Sequence, residues 1–188
     1  EMNVKFNSTG NQHLVKGWDG VTTFFELEAT QTTGSFGKIK VFVSSSSNTY
    51  EIESSEIKLF DENYKTIALT NELDTNSSAS LGLYVKESLN NRLIINDYTS
   101  SIISESLQWD SFDTLLVGSS SYISLDEFRI WKDSLDDNII TTHTKQPDSI
   151  VGNNYTASSE DMLVRFDFEY PKNRFVDSSF NTVSISSL

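Results

Sequence analysis

Tyr122-Ile123-Ser124-Leu125-Asp126-Glu127-Phe128-Arg129-Ile130-Trp131, followed by Lys132-Asp133-Ser134-Leu135-Asp136-Asp137, decides the reading of this chain. The stretch reads as a strand that runs into a short, capped helical turn. Phe128 and Ile130 fall on one face of the strand and Glu127, Arg129 and Trp131 on the other, the period of two that marks a half-buried strand. Ile123 and Leu125 are in step with each other but out of step with Phe128 and Ile130, so a bulge near Asp126-Glu127, or burial on both faces, is expected. Arg129 lies between Glu127 and Trp131 on the outward face, where it can pair with the carboxylate and cover the indole. Two readings follow: a structural cluster that fixes one strand of a sandwich, and an Arg-Trp platform that touches a ligand.

Strand patterns fill the rest of the chain. Val21 to Glu28 follows a Trp18-Asp19-Gly20 turn, and Lys38 to Val43 follows another glycine-containing turn. Thr49 to Glu53, Glu56 to Phe60 and Tyr64 to Leu69 continue the series, with Asp61-Glu62-Asn63 read as a hairpin connection. Ala79 to Lys86 alternates and leads through Asn90-Asn91 into Arg92-Leu93-Ile94-Ile95, a second hairpin. Short strands at this spacing, with turn signals between them, predict an antiparallel sandwich rather than alternating βα units. The helical piece is expected from about Leu135 to His143, with Asp133 or Ser134 as N-cap and Asp136 and Asp137 in the first turn.

Composition narrows the function. The 188 residues suffice for one sizeable domain, burying about 70% of the surface of the unfolded chain. There is no cysteine, which removes thiolate and disulfide chemistry. His13 and His143 have no ligand-spaced neighbours, so each is expected to be an ordinary surface or edge residue rather than part of a zinc site. A net charge of −13 argues against nucleic acid and anionic membranes as partners. The carboxylates are dispersed, which suits solubility first and calcium affinity second, though no calcium motif is present. Sequons stand at Asn7, Asn76 and Asn154. A chain that begins at Glu1 rather than Met reads as a processed product or a piece of something longer.

The stretch from Tyr122 to Trp131 resembles a signature of concanavalin A-like (laminin-G-like) jelly-roll domains, in which Asp126, Glu127, Phe128, Arg129 and Trp131 match a "hydrophobic-Asp-Glu-hydrophobic-Arg-hydrophobic-Trp" strand followed by a "Leu-Ser/Asp-x-x-Ile" turn. Ser80 to Lys86 is similar to that family's "leucine-x-leucine-tyrosine-valine-aspartate-glycine" strand, with Lys86-Glu87 in place of the Asp-Gly turn. Phe112 to Gly118 is similar to the strand that precedes the signature. Met162 to Glu169 with Val176-Asp177-Ser178-Ser179 resembles the family's opening strand. The resemblance covers residues 56 to 143 well and the first 50 loosely. It implies an all-β antiparallel jelly-roll sandwich over residues 1–145 with one short helix, a linker at 146–160, and strands at 161–188 that either complete the sandwich or open a following tandem module. The linker resembles those of large structural proteins of tailed-phage virions.

Three function classes are weighed. Glycoside hydrolases of this fold class present carboxylates on alternate residues of one strand, about 5 Å apart. Glu26-Leu27-Glu28, Glu51-Ile52-Glu53 and Asp126-Glu127 come nearest, and none completes the pattern, so no enzyme is expected. A lectin-like, glycan-binding adhesion module, with calcium assistance as an option, would use Trp18, Asp19, Trp109 and Asp110 as platforms and hydrogen-bonding partners. The reading ranked first is a non-catalytic structural or interaction module of a virion or extracellular assembly. Its partners are neighbouring protein chains, and it needs no cofactor.

Overall fold

The computed structural model describes residues 1–45, 48–73, 78–105, 107, 112–118, 121–153 and 161–168. Among the described residues, twelve strands form two antiparallel sheets packed face to face, accompanied by one short helix, an all-β sandwich as the strand patterns predicted. In the first sheet the order is β12 (Met162–Phe166), β11 (Ile123–Trp131), β1 (Met2–Phe6), β7 (Tyr64–Leu73), β8 (Ala79–Leu89) and β9 (Arg92–Ile103). The second runs β10 (Thr114–Val117), β2 (Gln12–Trp18), β3 (Thr23–Thr33), β4 (Phe36–Ser44) and β5 (Thr49–Glu53), with β6 (Ile57–Lys58) pairing β4.

The core lies between the sheets. Met2, Val4 and Phe6 of β1, Ile67 of β7, Leu81, Leu83 and Val85 of β8 and Phe128 of β11 face Leu27, Ala29, Ile39, Val41, Val43 and Ile52. These positions alternate along their strands because successive side chains point to opposite faces. The parity switch in β11 is a bulge. Asn3 pairs with Glu127 while Val4 pairs with Leu125, so Asp126 stands unopposed and both Leu125 and Phe128 turn toward the core. Asn90 and Asn91 both hold positive φ (51° and 64°), the backbone of a tight two-residue hairpin between β8 and β9.

Two expectations are corrected. Asp61-Glu62-Asn63 joins no hairpin: β6 belongs to the second sheet and β7 to the first, so this segment carries the chain across the end of the sandwich. Burial of Leu59 and Phe60 drives that crossing, since both side chains enter the shared core. The helix α1 runs Asp137–Lys145, two residues later than expected, with Asp136 at the N-cap in an extended conformation. Asn153 explains the shift. Its side chain accepts from the Asp136 backbone N–H at 2.9 Å and donates to the Ser134 carbonyl at 2.6 Å, holding the segment before α1 extended. Helix α1 packs on the outer face of the first sheet through Ile139 and Ile140, which cluster with Leu135 just ahead of the helix and with Ala68 of β7. Strand β12 pairs with β11, and Phe166 and Phe168 pack against the main core. Residues 169–188, including Val176-Asp177-Ser178-Ser179, lie outside the described residues.

Gly37 reports on sheet packing. A Cβ there would meet the Thr30 carbonyl oxygen at 2.6 Å and the Phe60 ring at 2.7 Å. Gly37→Ala is therefore expected to cost about 1–3 kcal/mol through overpacking, read as a lower urea midpoint with an unchanged slope. An unchanged midpoint would show that β3 can yield at this position.

Candidate functional site

The signature residues form a buried polar cluster rather than an exposed platform. Glu127 and Arg129 point away from the inter-sheet core, as the strand period requires, yet each is almost fully buried: Arg129 reaches the Pro147 carbonyl of the segment after α1, and Arg165 of β12 lies on the Glu127 carboxylate. One guanidinium nitrogen of Arg129 lies 3.2 Å from the Glu127 carboxylate and the other 3.3 Å from that of Glu1. Arg129 also donates to the Pro147 carbonyl, and its Nε has no hydrogen-bond partner among the described residues. Arg165 of β12 donates to both oxygens of Glu127.

The surface assignment of His143 is corrected in the same place. It is fully buried, with Nδ1 at 2.9 Å from a Glu1 oxygen and Nε2 at 2.8 Å from the Val151 carbonyl. Both ring nitrogens face oxygen acceptors, so the ring is held from two sides. The Trp131 indole stacks on this imidazole (centroids 5.5 Å apart, planes at 16°) and donates to Glu1 at 3.1 Å. The expected guanidinium cover over Trp131 is thus replaced by a histidine from the helix. Burial pushes the Glu1 carboxyl upward, but the hydrogen bond and charge of His143, together with Arg129, outweigh it and hold the group below its ordinary value of 4.5. The cluster joins β1, β11, β12, α1 and the strap at 147–151. It holds elements together and leaves Arg129 no surface to offer a ligand.

The remaining candidates do not gather into one site. Trp18 ends β2, half-buried, with the Lys16 ammonium 5.9 Å from its ring. Asp19 is committed to its own turn, accepting from the Val21 and Thr22 N–H groups at 2.9 and 2.6 Å, and these bonds hold its carboxyl low. Trp109 and Asp110 lie outside the described residues. Glu51 and Glu53 belong to cross-strand ion pairs with Lys40 and Lys38 on the outer face of the second sheet. Asp126 occupies the bulge.

Strand register creates three features that spacing alone does not announce. His13 lies opposite Glu28, with Glu26 beside it, so a histidine and two carboxylates bring one ligand atom each within 4.8 Å of one another. In the structure the His13 Nδ1 and Glu26 groups already bond at 2.6 Å. The edge strand β9 exposes Ile94, Tyr98 and Ile102 along one face. A cavity of about 430 Å³ opens ahead of β1, walled by Val15, Phe25, Leu27, Leu69, Phe128 and Ile130 inside and by Trp131 and Leu135 toward the surface. Neither family models, nor curated proteins, nor solved structures match the chain.

Removing Arg129 leaves two carboxylates buried beside each other. Arg129→Met is expected to cost about 3–5 kcal/mol of stability, measured by urea unfolding; a loss below about 1 kcal/mol would show that water enters the cluster freely. The pH dependence has a fixed sign. Because the folded Glu1 carboxyl lies below 4.5, its contribution is complete above that pH and is lost as pH falls through the folded value. Glu1→Gln should therefore flatten the acid limb of the stability profile relative to the parent chain, and parallel acid limbs would contradict the assignment.

Proposed function

We propose that this chain is a non-catalytic structural and interaction module of a larger extracellular or virion assembly, acting through contacts with neighbouring protein chains. The observation that carries this reading is the edge strand β9. At twelve residues it is the longest edge among the described strands, and among the described residues it borders the first sheet with no strand paired beyond it. Proteins keep long edges from pairing with other chains by charge, shortness or cover. The other edges here follow that practice: β10 has four residues, β12 has five, and β5 carries the paired Glu51 and Glu53. On β9, in contrast, Ile102 is 77% exposed and Tyr98 and Ile94 are each more than half exposed. Tyr98 and Tyr84 rest against each other at 4.5 Å, extending the apolar stripe onto β8. Burial, and then Tyr98, push the Tyr84 hydroxyl up to about 12, so that this hydroxyl keeps its proton at neutral pH.

A stripe of this kind along an open ladder offers main-chain hydrogen bonds and alternating apolar anchors together, the two components of strand addition. The lectin-like alternative gains no comparable support, since Asp19 is spent on its turn and Trp18 stands without a described aromatic companion.

A photo-crosslinking residue at Ser100, on the exposed face of β9, tests the reading in the assembled particle. Crosslinks to neighbouring protein chains that vanish in the Ile102→Lys/Tyr98→Lys variant are expected. No crosslink, together with selective binding of the same folded chain on a glycan array, would overturn it.

A further inference from the structure

The stripe on β9 is symmetric about its own centre. From Ile94 to Ile102 the strand reads Ile-Ile-Asn-Asp-Tyr-Thr-Ser-Ser-Ile, and its exposed face carries Ile94, Asn96, Tyr98, Ser100 and Ile102. From either end that face gives isoleucine, a polar residue, tyrosine, a polar residue and isoleucine. Asp97 is the one charged residue between Ile94 and Ile102. It lies on the other face, where it accepts from the Ser55 N–H at 3.0 Å.

This order restricts the partner. Two copies of one strand related by a two-fold axis pair antiparallel, so that residue i meets j and j meets i, and one residue sits at the axis. With Tyr98 at the axis, Tyr98 meets its copy, Ile94 meets Ile102 and Asn96 meets Ser100. Every apolar side chain of the stripe then faces an apolar one, and every polar side chain a polar one. Moving the axis by one residue sets Tyr98 against Asn96 or Ser100, and Ile102 against Arg92 or Asn96. Moving it by two leaves Ile102 opposite Asn90, or Ile94 opposite Ser106. The Tyr98 register also sets Asp97 against Thr99, so like charges do not stand directly across the ladder.

The backbone suits the same register. Strand β9 pairs residue for residue with β8 from Ile103 back to Ile95, and the shift comes only beyond Ile95, where Ile94 stands unopposed. The stretch from Ile95 to Ser101 is therefore regular and centred on Tyr98, and its N–H and C=O groups alternate toward the free edge. Ile94, in the bulge, closes each end of the ladder through its side chain, against Ile102 of the copy. Tyr84, already 4.5 Å from Tyr98 between ring centroids, widens the apolar contact on both sides of the axis.

We propose that β9 pairs with β9 of a second copy of this chain, antiparallel, about a two-fold axis at Tyr98. The proposal rests on the reading of the chain as an assembly module and names the partner of its open edge. A contact of this kind uses the edges of both copies at once and closes at two chains. The net charge of −13 on each copy opposes the approach, and salt screens that repulsion. Pairing through an apolar stripe is therefore stronger in high salt than in low.

Sedimentation equilibrium of the full chain at micromolar concentration should show a dimer that tightens with salt. Ile102→Lys/Tyr98→Lys should weaken it by about thirtyfold or more and leave the circular dichroism spectrum unchanged, because both side chains are more than half exposed. The register is read with thiols, which the chain itself lacks. Directly opposed side chains come within reach of a disulfide. Under mild oxidation Tyr98→Cys should crosslink to its own copy, and Asn96→Cys mixed with Ser100→Cys should give the mixed disulfide, while Ser100→Cys alone should give none. If Asn96→Cys, which removes an acceptor from Lys86, fails to fold, Tyr98→Cys against Ser100→Cys still decides. A monomeric chain, a dimer that survives the lysine pair, or crosslinking of Ser100→Cys to itself would each overturn the proposal. A monomer whose Ser100 photo-crosslinks reach a different protein in the particle would remove the pairing and leave the assembly reading standing. A monomer with no crosslink at all would remove both.

Discussion

Arg129 is the side chain on which the outer layer of this sandwich depends. It connects Glu1, at the head of the first strand, with Glu127 of its own strand and with the Pro147 carbonyl of the strap beyond the helix. Glu1 in turn receives His143 from α1 and the Trp131 indole. Charges buried this deeply are expensive to desolvate and become tolerable only when each finds a partner. The cluster meets that condition by drawing on five separate parts of the chain, which fixes how they dock. A hydrophobic patch of equal size could slide; a set of paired charges and directed hydrogen bonds has far fewer acceptable arrangements.

The acidic composition has two structural outlets. On the outer face of the second sheet, Lys38 and Lys40 alternate against Glu51 and Glu53 across neighbouring strands, and the exposure of these pairs makes their individual contribution small. Their greater effect is to keep β5 a charged edge. Under the helix, Lys86 is buried and bonds Asp137 and Asn96, so a second cation ties α1 to the first sheet. Charge thus guards one sheet and anchors the helix on the other, while β9 is left with exposed apolar side chains.

Much of the fold was legible from periodicity. The change of parity between Leu125 and Phe128 announced the bulge that the pairing with Asn3 and Val4 contains, and Asn90-Asn91 announced a hairpin because asparagine tolerates positive φ. The crossing at residues 61–63 was not legible, because a turn within one sheet and a passage between sheets use the same polar residues. The helix start was displaced by Asn153, a partner seventeen positions downstream of Asp136 that no local capping rule includes. The candidate site was hardest to read. Glu127, Arg129 and Trp131 were identifiable, but their burial depends on Glu1 and His143, which lie 128 and 142 positions from their respective partners Arg129 and Glu1.

The sequence by itself determined the strand character, the alternation that divides inward from outward side chains, the break in parity within β11 and the main tight turn, since each of these depends on neighbouring residues and the geometry of the extended backbone. Tertiary structure alone decided which outward faces meet water. Glu127 and Arg129 follow the outward parity and are nevertheless buried, while Ile94, Tyr98 and Ile102 are apolar and nevertheless exposed. The physical reason is that a strand's period assigns a side chain to a face, whereas covering that face requires another element, and which element arrives there is set by contacts distant in the chain.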